Sequence, residues 1–421
     1  GDLLDGFFTA VDASMEKAGA TPDDIDDVIV HATTVVTNAV LTRSGQPTAL
    51  LVTEGFRDVL YIRDEHRYDM FDPQIEYAEP IVPRDLTWGI NERTLADGTV
   101  SVTVDEAQIV KIATQMKERG VEAVAVCLLN AYANGANEQR IRNIFSDHAS
   151  HLYVSISSEV APQIREYPRA ATTALNAYTR PMTEPYLTRL SEELNKRGFA
   201  SRPLIMMSNG GVLGTDTASR FPVRMMESGP AAGALVASYY AERLGLDRLL
   251  SFDMGGTTAK ACLIEDRKPT VTGLFEVDRM YRFKAGSGMP VIIPAIDMIE
   301  IGAGGGALAS VDTLGLLKVG PHSAGSEPGP ACYGRGGENP AVTDADLLLG
   351  LLDADNFLGG DMKLNKAASA TAIKPLAAKL GTSVEQTARG IFEVVNESMA
   401  AAARAHATDR GIAYRGMPVR S

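Results

Sequence analysis

The residue types best suited to chemistry are concentrated in one stretch, Ser251 to Lys260, which reads Ser-Phe-Asp-Met-Gly-Gly-Thr-Thr-Ala-Lys. An apolar approach through Leu249, Leu250 and Phe252 reaches Asp253, turns at Gly255-Gly256 and resumes from Thr257 to Ile264. That is the pattern of a strand, a tight turn and a second strand. Without Cβ atoms at the turn, backbone N–H groups can approach an anion closely. Thr257 and Thr258 add hydroxyl donors, Lys260 a cation, and Asp253 sits where a carboxylate would hold Mg²⁺ through water. Together these residues would grip phosphate. The same ten residues also suit an ordinary hairpin turn, and the stretch by itself does not separate the two.

A second glycine cluster follows at Glu300-Ile301-Gly302-Ala303-Gly304-Gly305-Gly306. Consecutive glycines after a strand let backbone lie against a flat or phosphorylated ligand. A flexible loop has the same composition, but the flanking runs Ile296–Ile299 and Ala307–Ala309 favour a fixed turn. Glu227-Ser228-Gly229-Pro230 precedes an alanine-rich segment; Pro230 suits a first helical turn, and the amides around Gly229 form a ready anion site. A plain helix start reads identically. His31, at a strand end before Thr33-Thr34, and His322, in a Gly/Pro-rich loop, are the histidines best placed for a site. For both, a structural hydrogen bond outweighs catalysis. His148 and His151 lie beside Asp147 and Ser150 on what reads as a solvated surface, and no Ser-His-Asp set can be assembled.

The elements that must position these residues alternate as in a sheet covered by helices. A helix through Leu4, Phe8, Val11 and Met15 stops at Gly19; strands follow at 27–31 and Thr48–Thr53. Residues 68–104 break the rhythm with Pro73, Pro80, Pro83, the lone Trp88 and the turn Asp97-Gly98, and read as a β-rich insertion. Asp105 and Gln108 form a capping-box pattern, Val121–Leu129 is a two-sided buried strand, Ser155–Arg169 a polar loop, and Ala170–Lys196 a helix bent or split near Pro181 and Pro185. Residues 319–340, dense in Gly and Pro, read as a long ordered loop. A last helix is capped by Ser383 with Gln386 and runs to about His406.

The length, 421 residues, is enough for two or three domains. A net charge of −13 argues against nucleic-acid and anionic-membrane partners. No apolar run reaches the roughly 18 residues of a membrane helix. Cys127, Cys262 and Cys332 are widely spaced in apolar or Gly-rich runs, which favours buried thiols over a nucleophile, a zinc site or disulfides, and with them a cytoplasmic setting.

Phe252–Lys260, Ile301–Gly306 and Gly329-Pro330-Ala331-Cys332-Tyr333-Gly334, with His31–Ala39, Gly55-Phe56-Arg57-Asp58 and Ser208-Asn209-Gly210-Gly211, resemble the hydantoinase A/5-oxoprolinase family in content and order. The resemblance implies an α/β fold of two RNase H-like lobes, of the actin, sugar-kinase and Hsp70 type. Residues 1–67 and 105–200 would form the first lobe, 68–104 the insertion, and 201–421 the second lobe with the hairpin. It further implies ATP and Mg²⁺ as cofactors, a B-type partner subunit, and ATP-dependent opening of a cyclic amide such as a hydantoin, 5-oxoproline or a lactam, in which phosphorylating the amide oxygen opens the carbon to water. A biotin-independent ketone carboxylase subunit and a non-catalytic nucleotide-binding lobe are the alternatives. On this resemblance Asp253 holds the metal, Gly255, Gly256, Thr257 and Thr258 grip phosphate, Lys260 neutralises charge, and Gly304, Gly305 and Gly306 lie near the nucleotide. Family members also carry an earlier Asp-x-Gly-Gly-Thr hairpin and a later Gly-rich segment. The chain runs from Gly1 to Ser421 between them, and the expectation is that these residues alone do not turn over ATP.

Overall fold

The computed structural model describes residues 3–25, 28–281 and 284–420. Gly1, Asp27 and Ser421, which bear on the expectations for the termini and the first strand, lie outside the described residues. The chain divides into two compact units, Gly1–Ala232 with Val271–Ile296, and Gly233–Thr270 with Asp297–Ser421.

The first unit is built on a parallel four-stranded sheet in the order Thr87–Ile90, Thr48–Thr53, Ala123–Cys127, Tyr153–Ile156. Side-chain alternation along its two central strands sorts residues to opposite faces. Ala49, Leu51, Val124 and Val126 pack with Ile109, Met116, Ile141 and Phe145, from the helices Glu106–Glu118 and Ala136–His148. Leu50, Val52, Ala123, Ala125 and Cys127 face Ala170, Ala171, Ala174 and Ala177 of the helix Glu166–Lys196. Small residues on both sides of that second contact let helix and sheet approach closely. Both central strands are buried along their whole length, as nearly continuous apolar runs require.

A second sheet pairs Ile29–His31 in parallel with Pro203–Met206, which pairs antiparallel with Val212–Gly214. This pairing packs residues 201–232 with the first unit, whereas the sequence pattern groups them with the second lobe. Within 68–104, Thr87–Ile90 is a full member of the main sheet, so the excursion there is shorter than composition suggests. What remains β-rich is the small Arg93–Thr94/Val100–Val102 ladder around Asp97-Gly98, where Gly98 has φ +84°.

Three local expectations change. The Asp105 side chain accepts from Ala107 N at 3.2 Å, but Gln108 turns away to accept from Asn91 N at 3.1 Å, so no reciprocal cap forms. The helix Glu166–Lys196 is assigned without a break through Pro181 and Pro185, and begins inside the stretch expected as loop. Most of the rest of that stretch is the strand Tyr153–Ile156 and the short helix Ser157–Val160.

In the second unit, Ala259–Glu265 is central: it pairs with Arg248–Met254 along one edge and with Met298–Ile301 and Lys268–Pro269 along the other. The ladder Ala307–Val311/Leu317–Ser323 and the helices Val342–Leu348, Lys366–Leu380 and Val384–Asp409 complete it around Ile301, Ala307, Ile373, Ile391 and Val395. The Ser383/Gln386 cap forms as expected, with both reciprocal bonds at 3.1 Å.

Candidate functional site

Strands Arg248–Met254 and Ala259–Glu265 pair antiparallel with Asp253 opposite Lys260 and Met254 opposite Ala259. Gly255 N donates to Thr258 O at 2.9 Å and closes the turn between them. Residues 253–257 are exposed. Among the described residues, the amides of Gly256 and Thr257 and the hydroxyls of Thr257 and Thr258 have no hydrogen-bond partner, which leaves a set of donors at the tip.

The second glycine cluster packs directly onto this turn. Gly305 N donates to Gly255 O at 3.1 Å and Gly306 N to Gly256 O at 2.7 Å. A Cβ on Gly304 would stand 2.6 Å from Gly255 O and 2.7 Å from the Gly256 carbonyl carbon, and one on Gly306 would stand 2.8 Å from Gly256 O. Such separations are well inside carbon–oxygen contact, so glycine is required for the approach itself. Residues Gly302, Gly304 and Gly306 are buried, and the amides of Gly305 and Gly306 are already engaged. Gly305 and Gly306 therefore brace the turn with amides that are not available to a phosphate.

Asp253, Lys260 and Glu300 occupy successive positions of one cross-strand row. Directly opposed residues share a sheet face. Lys260 Nζ lies 3.9 Å from Glu300 Oε1 and its side chain is largely buried. Asp253 is exposed and its carboxylate has no partner among the described residues.

The sequence reading missed the support behind Gly305. Thr343 donates to Gly305 O from its amide at 2.8 Å and its hydroxyl at 2.7 Å. The adjacent Asp344, fully buried, accepts from Ala331 N at 3.1 Å, Cys332 N at 2.8 Å, Ala341 N at 3.0 Å and Ser369 Oγ at 2.7 Å. One carboxylate thus ties the middle of the Gly/Pro-rich loop, at Ala331 and Cys332, to its C-terminal end at Ala341. The available signal was an aspartate in the first turn of the helix directly after that loop.

In the first unit, His31 Nε2 lies 2.9 Å from Tyr186 Oη, and the Phe7 ring packs edge-on at 4.9 Å. Burial pushes the His31 pKa down to about 4, so the ring is neutral at pH 7. Gly229 lies in the first turn of the helix Ser228–Leu244, beside the Thr33–Thr37 segment: Ser228 Oγ donates to Thr33 O at 3.0 Å and Glu227 N to Thr37 Oγ1 at 3.2 Å. The structure joins two segments that the sequence presents as separate motifs. His322 is exposed in the strand Leu317–Ser323, and His148 lies 3.4 Å from Glu106 on the surface. All three cysteines are buried, and burial raises their thiols, Cys127 to about 11 and Cys262 and Cys332 to about 12.

The hydantoinase/oxoprolinase family model matches residues 169–419, and the model of that family's N-terminal region matches residues 1–149. The chain belongs to the hydantoinase/oxoprolinase family. It is 36% identical over 405 residues to caprolactamase subunit alpha of Pseudomonas jessenii, covering 94% of this chain and 56% of that one. The crystal structure of the ATP-dependent caprolactamase from Pseudomonas jessenii superposes with a TM-score of 0.79 at 34% identity, over 98% of this chain and 59% of that chain. The nucleotide-free structure of acetone carboxylase also gives a TM-score of 0.79, at 28% identity, covering 93% and 56%. The chain thus spans somewhat over half the length of these relatives, and its architecture is the mixed α/β one they share. Among the described residues, no helix is long and apolar enough to cross a membrane.

Proposed function

We propose that this member of the hydantoinase/oxoprolinase family is the ATP-using part of a cytoplasmic cyclic-amide hydrolase. The observation that carries the reading is the Gly255–Thr258 turn, whose spare amides and hydroxyls are exposed while its carbonyls are fixed by Gly305 and Gly306. Donors preorganised in this way stabilise a phosphoryl group in transfer without rearranging. In this reading the units correspond to two RNase H-like lobes, with the hairpin in the second.

The donor set fits Mg²⁺ carried in on the nucleotide. The described residues contain no cluster of three or more metal-ligating side chains, whereas Mg²⁺ keeps most of its waters and needs only a carboxylate or two beside the phosphates. Asp253 is that carboxylate, and the ion's part is to neutralise phosphate charge. Gly256, Thr257 and Thr258 orient the terminal phosphate, and Lys260, opposite Asp253, supplies the cation of the row. Gly229 is proposed as an anion contact within the first unit, and His31 as a neutral hydrogen-bond partner.

The amide oxygen attacks the terminal phosphorus and ADP departs. Water then adds to the ring carbon; opening requires that the ring nitrogen, taking up a proton, leaves before phosphate does, since loss of phosphate first restores the amide. The acyl phosphate that remains is hydrolysed to carboxylate and inorganic phosphate. This sequence calls for a second active centre to handle the carbon chemistry, and a B-type partner subunit is proposed to supply it. The equal structural similarity to acetone carboxylase supports a second reading, in which the same ATP site activates a ketone enol or bicarbonate.

The test is phosphate release by the full-length protein with its B-type partner, Mg²⁺ and ATP, across hydantoins, 5-oxoproline, lactams and ketones with bicarbonate. Release coupled to ring opening supports the first reading; release that requires both ketone and bicarbonate replaces it with the second.

A further inference from the structure

The segment after Arg63 is an ordered loop with an unusual tip. Tyr77 Oη donates to His66 O at 3.1 Å, Tyr68 Oη donates to Glu76 O, and the Tyr68 ring packs on Tyr77 and Tyr281, each at 5.4 Å. Phe71 N donates to Asp69 Oδ1 at 3.1 Å and Gln74 N to Asp72 Oδ1 at 2.9 Å, so each aspartate folds the backbone beside the tip. Asp69 is in turn paired with Lys284. For all this internal bonding, Met70 is 75% exposed and Phe71 96% exposed. A loop that spends its polar groups on itself and holds a Met–Phe pair in water has the form of an anchor. Rigid presentation lowers the ordering cost of association, and aromatic residues and Met are enriched where proteins meet.

The surrounding charge is predominantly acidic. Asp64, Glu65, Glu76 and Glu79 are exposed. Arg63 donates to Ala78 O at 2.6 Å and lies 4.1 Å over the Tyr77 ring, so that cation is drawn inward, whereas Arg67 donates to Asp72 O at 2.6 Å and stays exposed among the more numerous carboxylates.

We propose that the Met70–Phe71 tip is the anchor by which this chain docks its B-type partner subunit, entering an apolar pocket whose rim is basic. The assignment rests on the heteromeric reading above. Charge complementarity with the exposed carboxylates sets orientation and association rate, and the buried Phe71 ring carries the affinity.

The test uses full-length protein and the partner subunit. Phe71→Cys, read by mass spectrometry after thiol labelling, should label in the full-length protein alone and be protected at saturating partner; the chain's own cysteines are buried and give little background. Phe71→Asp should raise the Kd of the complex about 30-fold or more. The control Leu314→Asp, at a position 81% exposed in the second unit, should leave Kd unchanged. Protection at residue 71 without the partner would mean that the protein's own chain or a second copy covers the tip, and would overturn the proposal. Labelling undiminished in the complex, or an unchanged Kd for Phe71→Asp, would overturn it while leaving the heteromer intact. A wild-type protein that forms no complex and is fully active alone would overturn the heteromeric reading, and this assignment with it.

Discussion

Gly306 donates its amide to the Gly256 carbonyl at 2.7 Å, and a Cβ on Gly306 would sit 2.8 Å from that same oxygen. The bond and the absent methyl describe one contact: two glycine turns pressed backbone to backbone. The glycines of the two clusters consequently differ in what they are for, and substitution separates them.

Gly304→Ala drives a methyl against Gly255 O and Gly256 C, and should cost about 1–3 kcal/mol of stability by overpacking. Gly256→Ala meets nothing within 4 Å and should leave stability within about 0.5 kcal/mol. Its methyl instead occupies space a phosphate needs, and ATP affinity should fall about tenfold or more. Thermal unfolding and nucleotide titration of both variants check the contrast; wild-type affinity in a well-folded Gly256→Ala protein would remove phosphate from this turn.

Asp253→Asn keeps the shape of an exposed side chain and removes its charge. Stability should change by less than about 0.5 kcal/mol, while kcat for ATP cleavage falls about 100-fold and the Mg²⁺ requirement rises. A magnesium titration of activity reads both effects.

His31 makes stability depend on pH. Its folded pKa, pushed down to about 4 by burial, lies below the roughly 6.5 of an exposed histidine. Between those values the unfolded chain binds a proton that the folded chain refuses, so stability is complete above about pH 6.5 and is lost as pH falls toward 4, by roughly 3 kcal/mol across the window. His31→Gln should flatten that part of the profile in denaturant titrations from pH 4 to 7.

Asp344→Ala would strand three backbone amides and a serine hydroxyl that the buried carboxylate now satisfies. The loss should be at least about 3 kcal/mol. Hydrogen exchange should rise first at Ala331, Cys332 and Ala341.

The hairpin was legible because its signal is local: alternation, then Asp-x-Gly-Gly, then alternation. Ser383 with Gln386 was legible for the same reason. The partner of the triple glycine was not, since nothing within Gly302–Gly306 encodes an approach to Gly256. Asp105 and Gln108 carried the same local pattern as the real cap, but Asn91 N and Gly89 O, brought close by the sheet edge, captured the glutamine. Pro181 and Pro185 read as breaks, yet buried Ala170–Ala177 on one side and Leu187, Leu190 and Leu194 on the other hold the helix continuous by packing. Tertiary contact overrode propensity in each case.

Thr343 and Asp344 are neighbours on one short helix, Val342–Leu348, yet they hold different things: Thr343 the carbonyl of Gly305, Asp344 the amides of the loop. A single rigid strut therefore ties the loop to the glycine segment, and neither end can be displaced far without loading the other. A ligand that stiffens one should slow opening fluctuations in both.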